Sequence, residues 1–139
     1  MRAVVQRVSS ARVVVDDEVV GELDLDDGRQ GLVVLVGVTH EDTEAQAVAL
    51  ADKIWRLRIL DGPDGGQAGA ADVDAPILLV SQFTLYADCH KGRRPSFTDA
   101  GDPAWAKDMF TDFVQMVDET CAVSVSSGIF GADMDVRLC

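Results

Sequence analysis

Leu32-Val33-Val34-Leu35-Val36-Gly37-Val38 is apolar without interruption, and this run decides the fold. A strand with one wet face alternates apolar and polar residues, whereas a strand covered on both faces has no polar positions to alternate. Residues 32–38 are therefore expected to form an interior strand with a layer on each side. A second run of the same kind, Ile77-Leu78-Leu79-Val80, follows Pro76 and supplies a similarly buried partner.

Between these runs, Thr43-Glu44-Ala45-Gln46 fits a capping box, in which the Thr hydroxyl bonds the backbone N–H three residues on and Gln46 reaches back. Ala47, Leu50, Ala51, Ile54 and Leu57 then recur at helical spacing, predicting about four turns of helix. Arg58-Ile59-Leu60 reads as a short strand. Residues 61–74, rich in Gly, Asp and Ala, show no period and are expected to be a mobile surface loop. On the N-terminal side, residues 2–15 interleave Val with polar residues and predict one long strand bent near Ser9-Ser10. Asp16-Asp17 is expected to turn the chain, Glu18 to Leu25 to return as a hairpin partner, and Asp26-Asp27-Gly28 to end it.

Beyond the second run, a polar loop from Ala87 to Gly101 leads to Asp102 and Pro103, an N-cap and an N1 proline. Trp105, Met109, Phe113, Met116 and Val117 would form the buried face of the helix that follows. Ala122 to Val125 alternates like a strand, Ser126-Ser127-Gly128 reads as a turn, and Asp133 to Cys139 is expected to be a final strand. The fold class is α+β: mixed, partly barrel-like sheets packed with two long helices. At 139 residues, one domain spanning 1–139 accounts for the chain.

Cys89, Cys121 and Cys139 are odd in number and widely spaced, which suits unpaired thiols in a reducing cytosol. No apolar run is long enough to cross a bilayer as a helix, and the first residues offer no secretory h-region. A formal net charge of −12 argues against coating nucleic-acid backbone, which needs clustered cations. The exception is Lys91-Gly92-Arg93-Arg94-Pro95, either a small anion contact or a solvated loop.

Several chemistries are excluded. The two histidines, His40 and His90, lie in different loops, so neither a Cys/His zinc cluster nor H-E-x-x-H exists. P-loop and dinucleotide-binding glycine patterns are also missing. Asp61-Gly62-Pro63-Asp64-Gly65-Gly66 lacks the lysine and the helix of a phosphate loop and reads as turn chemistry. The acidic runs at 16–18 and 24–27 read as solvated turns, and adjacent Cys89 and His90 make a poor nucleophile–base pair. More informative is Ser81-Gln82-Phe83-Thr84-Leu85, where polar residues end a buried strand. Two hydroxyls, an amide and the turn's backbone N–H groups suit an ester carbonyl that becomes an oxyanion, although no side chain there is an obvious general base. Harmless capping of the strand end is the bland alternative.

Taken together, four segments resemble the bacterial D-aminoacyl-tRNA deacylases. They are Met1-Arg2-Ala3-Val4-Val5-Gln6-Arg7-Val8, Ser81-Gln82-Phe83-Thr84-Leu85, Gly92-Arg93-Arg94-Pro95-Ser96-Phe97 and Phe130-Gly131-Ala132-Asp133-Met134, in the family's order and spacing across the whole chain. The resemblance implies a cytoplasmic homodimer without metal or cofactor, and without DNA or membrane partners. Its implied activity is hydrolysis of D-aminoacyl-tRNA, and of glycyl-tRNA mischarged on tRNA-Ala. It implies that Ser81, Gln82, Phe83 and Thr84 line the scissile ester, with Phe130, Gly131 and Met134 holding the terminal adenosine. Arg93 and Arg94, with Lys91, would meet phosphates.

In the family a second motif, Asn-x-Gly-Pro-x-Thr, follows the strand that here reaches Cys139 and excludes L-amino acids from the partner's pocket. Residues 1–139 do not include it, so the chain reads as truncated at its C-terminal end. Gly62-Pro63 lies in another loop and is no substitute, and Arg7, which braces that element in the family, has an open role here. Two other readings remain: an editing domain like that of archaeal threonyl-tRNA synthetases, and a catalytically degenerate dimer that binds tRNA ends.

Overall fold

A computed structural model of the chain describes residues 1–26 and 28–139. In order, the elements are β1 (Arg2–Val8), β2 (Ala11–Val15), β3 (Glu18–Leu23), β4 (Gly31–Gly37), α1 (Glu44–Arg56), β5 (Leu60–Asp61) and β6 (Gln67–Ala68). The chain continues through α2 (Ala70–Val73), β7 (Ile77–Ser81), a 3-10 turn (Phe83–Tyr86), α3 (Pro103–Thr120), β8 (Val125–Ser127) and β9 (Asp135–Leu138).

The two apolar runs lie side by side. β4 and β7 pair in parallel, Leu32 with Ile77 through Val36 with Ser81, at the centre of a sheet ordered β1-β4-β7-β8. Because side chains alternate across a strand, each run serves two cores. Leu32, Val34, Val36, Ile77 and Leu79 face α1 and α3, packing with Ile54, Phe110 and Phe113. Val33, Leu78 and Val80 face the other way, onto Val8, Ala11, Val13 and Leu23. Three layers result: helices, a central sheet, and a second sheet ordered β3-β2-β9.

That second sheet corrects two expectations. Residues 2–15 are not one bent strand: at Ser9-Ser10 the chain leaves the first sheet, so β1 pairs β4 and β2 pairs β3 and β9. Nor do the sheets close into a barrel, because each pairs only within itself among the described residues. The turn expected at Asp16-Asp17 is present, with both residues at positive φ. The break expected at Asp26-Asp27-Gly28 includes Asp27, which lies outside the described residues.

Residues 61–74 hold short regular elements around the expected loop. β5 and β6 form a small hairpin tipped by Gly62-Pro63, and α2 follows with Ala68 and Ala70 buried. Small residues bury themselves by close approach without an amphipathic period, so the pattern was silent. In the capping box only the return half matches: Gln46 Oε1 accepts from the Thr43 backbone N–H at 2.7 Å, while the Thr43 hydroxyl donates to the same oxygen at 3.1 Å. α3 is capped as expected, Asp102 accepting from the Ala104 N–H at 3.0 Å. Its buried face is turned by one residue, to Ala106, Met109, Phe110, Phe113 and Val117, which leaves Trp105 42% exposed. Near the end, Ser126 and Ser127 belong to β8 rather than to a turn, held by parallel pairing with Leu78 and Leu79.

Candidate active site at the ends of the parallel strands

Parallel strands end on the same edge of a sheet, and the crevice outside their carboxyl ends is the favoured ligand position in α/β architecture. Here β4 ends toward Val38 and β7 ends at Ser81, and a cavity of about 720 Å³ opens beside them. Ser81, Gln82 and Phe83 line it from the end of β7 and the turn after it, and Phe130, Gly131, Ala132, Asp133 and Met134 from the segment before β9. Two sequence segments far apart in the chain thus face one space.

The local backbone explains how the strand end is presented. Gln82 N–H donates to the Val36 carbonyl at 2.7 Å, and the chain then tightens into the 3-10 turn. This turn lies directly over Gly37, where a Cβ would come within 3.1 Å of both the Gln82 carbonyl oxygen and Leu85 Cβ. In a 3-10 turn the first internally bonded amide is three residues on, here Leu85 to the Gln82 carbonyl at 3.3 Å. The amides of Phe83 and Thr84 therefore have no acceptor within the turn. Behind it, Arg2 Nη1 donates to the Leu85 carbonyl at 2.9 Å, with its guanidinium 4.4 Å from the Tyr86 ring centre. Burial, and then the Asp42 carboxylate, push the Tyr86 phenol above its ordinary pKa, while Arg2 pulls it back.

Thr84 is not among the cavity-lining residues; its hydroxyl accepts from Gln82 Nε2 at 2.5 Å. Gly131 turns the chain at φ 79°, a left-handed conformation that suits glycine. Phe130 packs against Phe110, ring centres 6.1 Å apart, and so ties this wall to the α3 core.

The third wall was not read from the sequence. His40, Phe97, Thr98, Ala100, Gly101 and Asp102 all line the cavity. The loop they share is held to the end of β4: Gly101 N–H donates to the Val38 carbonyl at 2.9 Å, and Thr39 Oγ1 to the Asp99 carbonyl at 2.6 Å. His40 Nε2 meets the Thr98 carbonyl at 3.0 Å. Thr39 N–H in turn donates to Asp42 Oδ2 at 2.8 Å, and the other Asp42 oxygen forms a buried ion pair with the Met1 amino group. The usable signal was positional: His40 follows the end of one parallel strand as Gln82 follows the other.

The remaining site residues lie elsewhere. Arg93 and Arg94 are exposed on an excursion closed by the Asp88–Ser96 bridge, outside the cavity. In that excursion the backbone N–H of His90, and then its ring, hold the Asp88 carboxyl below its usual range. Arg7 sits on β1 and reaches Asp61 Oδ1 at 2.9 Å and the Ile59 carbonyl at 3.4 Å, bracing the β5–β6 hairpin. Among the described residues, no three His, Cys, Asp or Glu side chains gather as a metal site, and no helix is long and apolar enough to cross a membrane.

Comparison with known proteins identifies the family and the fold. The chain is 55% identical over 138 residues to the D-aminoacyl-tRNA deacylase of Nocardia farcinica, covering 99% of this chain and 92% of that protein. The deacylase of Mycolicibacterium smegmatis is 51% identical with the same coverage. Among solved structures, a c-Myc DNA unwinding element binding protein superposes with a TM-score of 0.90 at 33% identity, covering 99% of this chain and 91% of that one. A probable eukaryotic D-amino acid tRNA deacylase shares the fold, with a TM-score of 0.82 at 16% identity over 99% of this chain and 92% of that one. The profile of the family described as D-Tyr-tRNA(Tyr) deacylase matches residues 4–139, and the chain belongs to that family.

Proposed function

We propose that this protein hydrolyses the ester joining a D-amino acid to the 3′-terminal adenosine of tRNA, releasing the free amino acid and intact tRNA. The observation that carries this reading is the convergence of Ser81, Gln82 and Phe83 with Phe130, Gly131 and Met134 on one cavity. Water forms the new C–O bond, the bond to the ribose 3′-oxygen breaks, and that oxygen takes up a proton. The amides of Phe83 and Thr84, which the 3-10 turn leaves without an acceptor, and the remaining N–H of Gln82 are the groups assigned to stabilise the oxyanion. The aromatic and apolar surface of Phe130 and Met134 suits an unpaired adenine.

Thr84 is a weak candidate for the attacking group. Its hydroxyl is held by Gln82, and among the described residues no imidazole or carboxylate bonds it to take its proton. Activation of water with help from the substrate's own 2′-hydroxyl needs no protein base and fits better. Arg93 and Arg94, with Lys91, are assigned to tRNA phosphates, a homodimer is the working unit, and Arg7 supports the site's surroundings through Asp61.

Purified protein incubated with D-tyrosyl-tRNA should release D-tyrosine with multiple turnovers. Tight binding without release would instead make this chain a degenerate tRNA-end-binding module.

A further inference from the structure

Phe83 and Phe97 lie in contact at the cavity, ring centres 5.1 Å apart and planes at 68°, an edge-to-face pair. Both remain wet: Phe83 is 57% exposed and Phe97 38%. Phe130, by contrast, is packed against the core. Adjoining exposed apolar rings at the edge of a cavity mark a surface on which a ligand or partner can settle. In the proposed mechanism Phe83 acts through its backbone amide, which leaves both rings free for another contact.

The surroundings indicate the occupant. Phe97 directly follows Ser96, which pairs with Asp88 to close the excursion carrying Lys91, Arg93 and Arg94. In a chain of net charge −12, this puts three cations within three to six residues of Phe97, on a loop that leads into the cavity wall. Cationic contacts for a backbone beside aromatic faces for bases are the usual equipment for single-stranded nucleic acid. A protein or apolar partner would leave the cations without a role.

We propose that the Phe83–Phe97 pair is a stacking platform for the base of the nucleotide preceding the terminal adenosine. The inference rests on the reading that the cavity holds the aminoacylated end of tRNA, and adds a second nucleotide subsite at its mouth. Stacking on phenyl faces makes this subsite tolerant of base identity.

The test uses two minimal carriers of the same ester: D-tyrosyl-adenosine, and D-tyrosyl-cytidylyl-adenosine with one more nucleotide. The measured quantity is the ratio of kcat/KM, dinucleotide over mononucleotide, within each protein, so losses of folded protein cancel. The wild type should favour the dinucleotide about tenfold or more, Phe97→Leu should bring the ratio close to one, and Phe97→Trp should preserve or raise it. Equal ratios in wild type and Phe97→Leu overturn the platform while leaving the deacylase reading intact. A wild type that hydrolyses neither carrier nor D-tyrosyl-tRNA overturns both. If Phe97→Leu instead shifts the oligomeric state in light scattering with an unchanged ratio, the pair is a contact between copies of this chain and the proposal fails.

Discussion

Gln82 Nε2 lies 2.5 Å from Thr84 Oγ1, so the polar side chains that end β7 restrain each other. The bond spends one amide hydrogen and leaves the other, and it fixes the Thr84 hydroxyl as an acceptor. Gln82→Ala should therefore lower kcat by about ten- to a thousandfold, the range for losing an oxyanion donor. Thr84→Ala should have a much smaller effect, confined to the loss of restraint on Gln82. Single-turnover release of D-tyrosine measures both. A Thr84→Ala loss as large as that of Gln82→Ala would restore the threonine as nucleophile.

The basic excursion should act on affinity rather than chemistry. Replacing Arg93 and Arg94 with Ala removes two candidate phosphate contacts, so KM for aminoacyl-tRNA should rise and its salt dependence should flatten. Both residues are exposed, so the melting temperature should hardly move. A salt slope identical to wild type would reduce this excursion to a solubilising loop.

Arg2 stands outside the cavity yet holds the 3-10 turn from behind, through the Leu85 carbonyl and the Tyr86 ring. Arg2→Ala should cost about 0.5–1 kcal/mol of stability, typical of an exposed cation–π contact. It should also lower kcat several-fold with little change in KM, because the amides proposed to meet the oxyanion ride on that turn. Arg2→Lys should recover much of the loss. Denaturant midpoints and steady-state kinetics on the same preparations separate the two effects.

The three thiols should differ in chemistry. Cys121 is buried at the end of α3, where burial, helped by Asp118, pushes its pKa up to about 11, while Cys89 and Cys139 are exposed. Iodoacetamide at pH 8 should label Cys89 and Cys139 and spare Cys121 until the protein unfolds. The folded thiol keeps its proton at pH values where the unfolded one has lost it. Any stability from this group is complete below about pH 9 and declines as pH rises toward 11. Mass spectrometry of labelled peptides, with and without denaturant, checks the first statement, and alkaline melting curves check the second.

The parts of this structure most legible in the sequence are those where one residue pattern permits one arrangement. Leu32 to Val36 and Ile77 to Val80 have no polar side to show water, so two covered faces follow. Asp102-Pro103 has little to do except begin a helix, and Ser81-Gln82 ends a buried strand with groups that need partners. The crossing at Ser9-Ser10 was hidden because β1 and β2 alternate alike, and only their pairing partners tell the sheets apart. Trp105 lies outside the buried face despite its spacing, because helical spacing fixes a face only to within about one residue when apolar residues flank both sides. His40 and Thr98 are not legible in the sequence because their wall is built by backbone bonds between loops, which side-chain pattern does not encode.

The parallel pairing at the centre of the sheet also sets a timetable. Leu32 finds Ile77, and Ile77 finds Val125, so every rung of the central sheet joins distant stretches of chain. Contacts of this kind form slowly and late. As the chain leaves the ribosome, β4 emerges with both faces greasy and must wait for β7, for α3 and finally for the strand containing Val136. Neither β4 nor β7 carries a charged residue within it to discourage pairing with a stranger. During that interval the nascent chain is more prone to aggregate than the finished protein's acidic exterior would suggest.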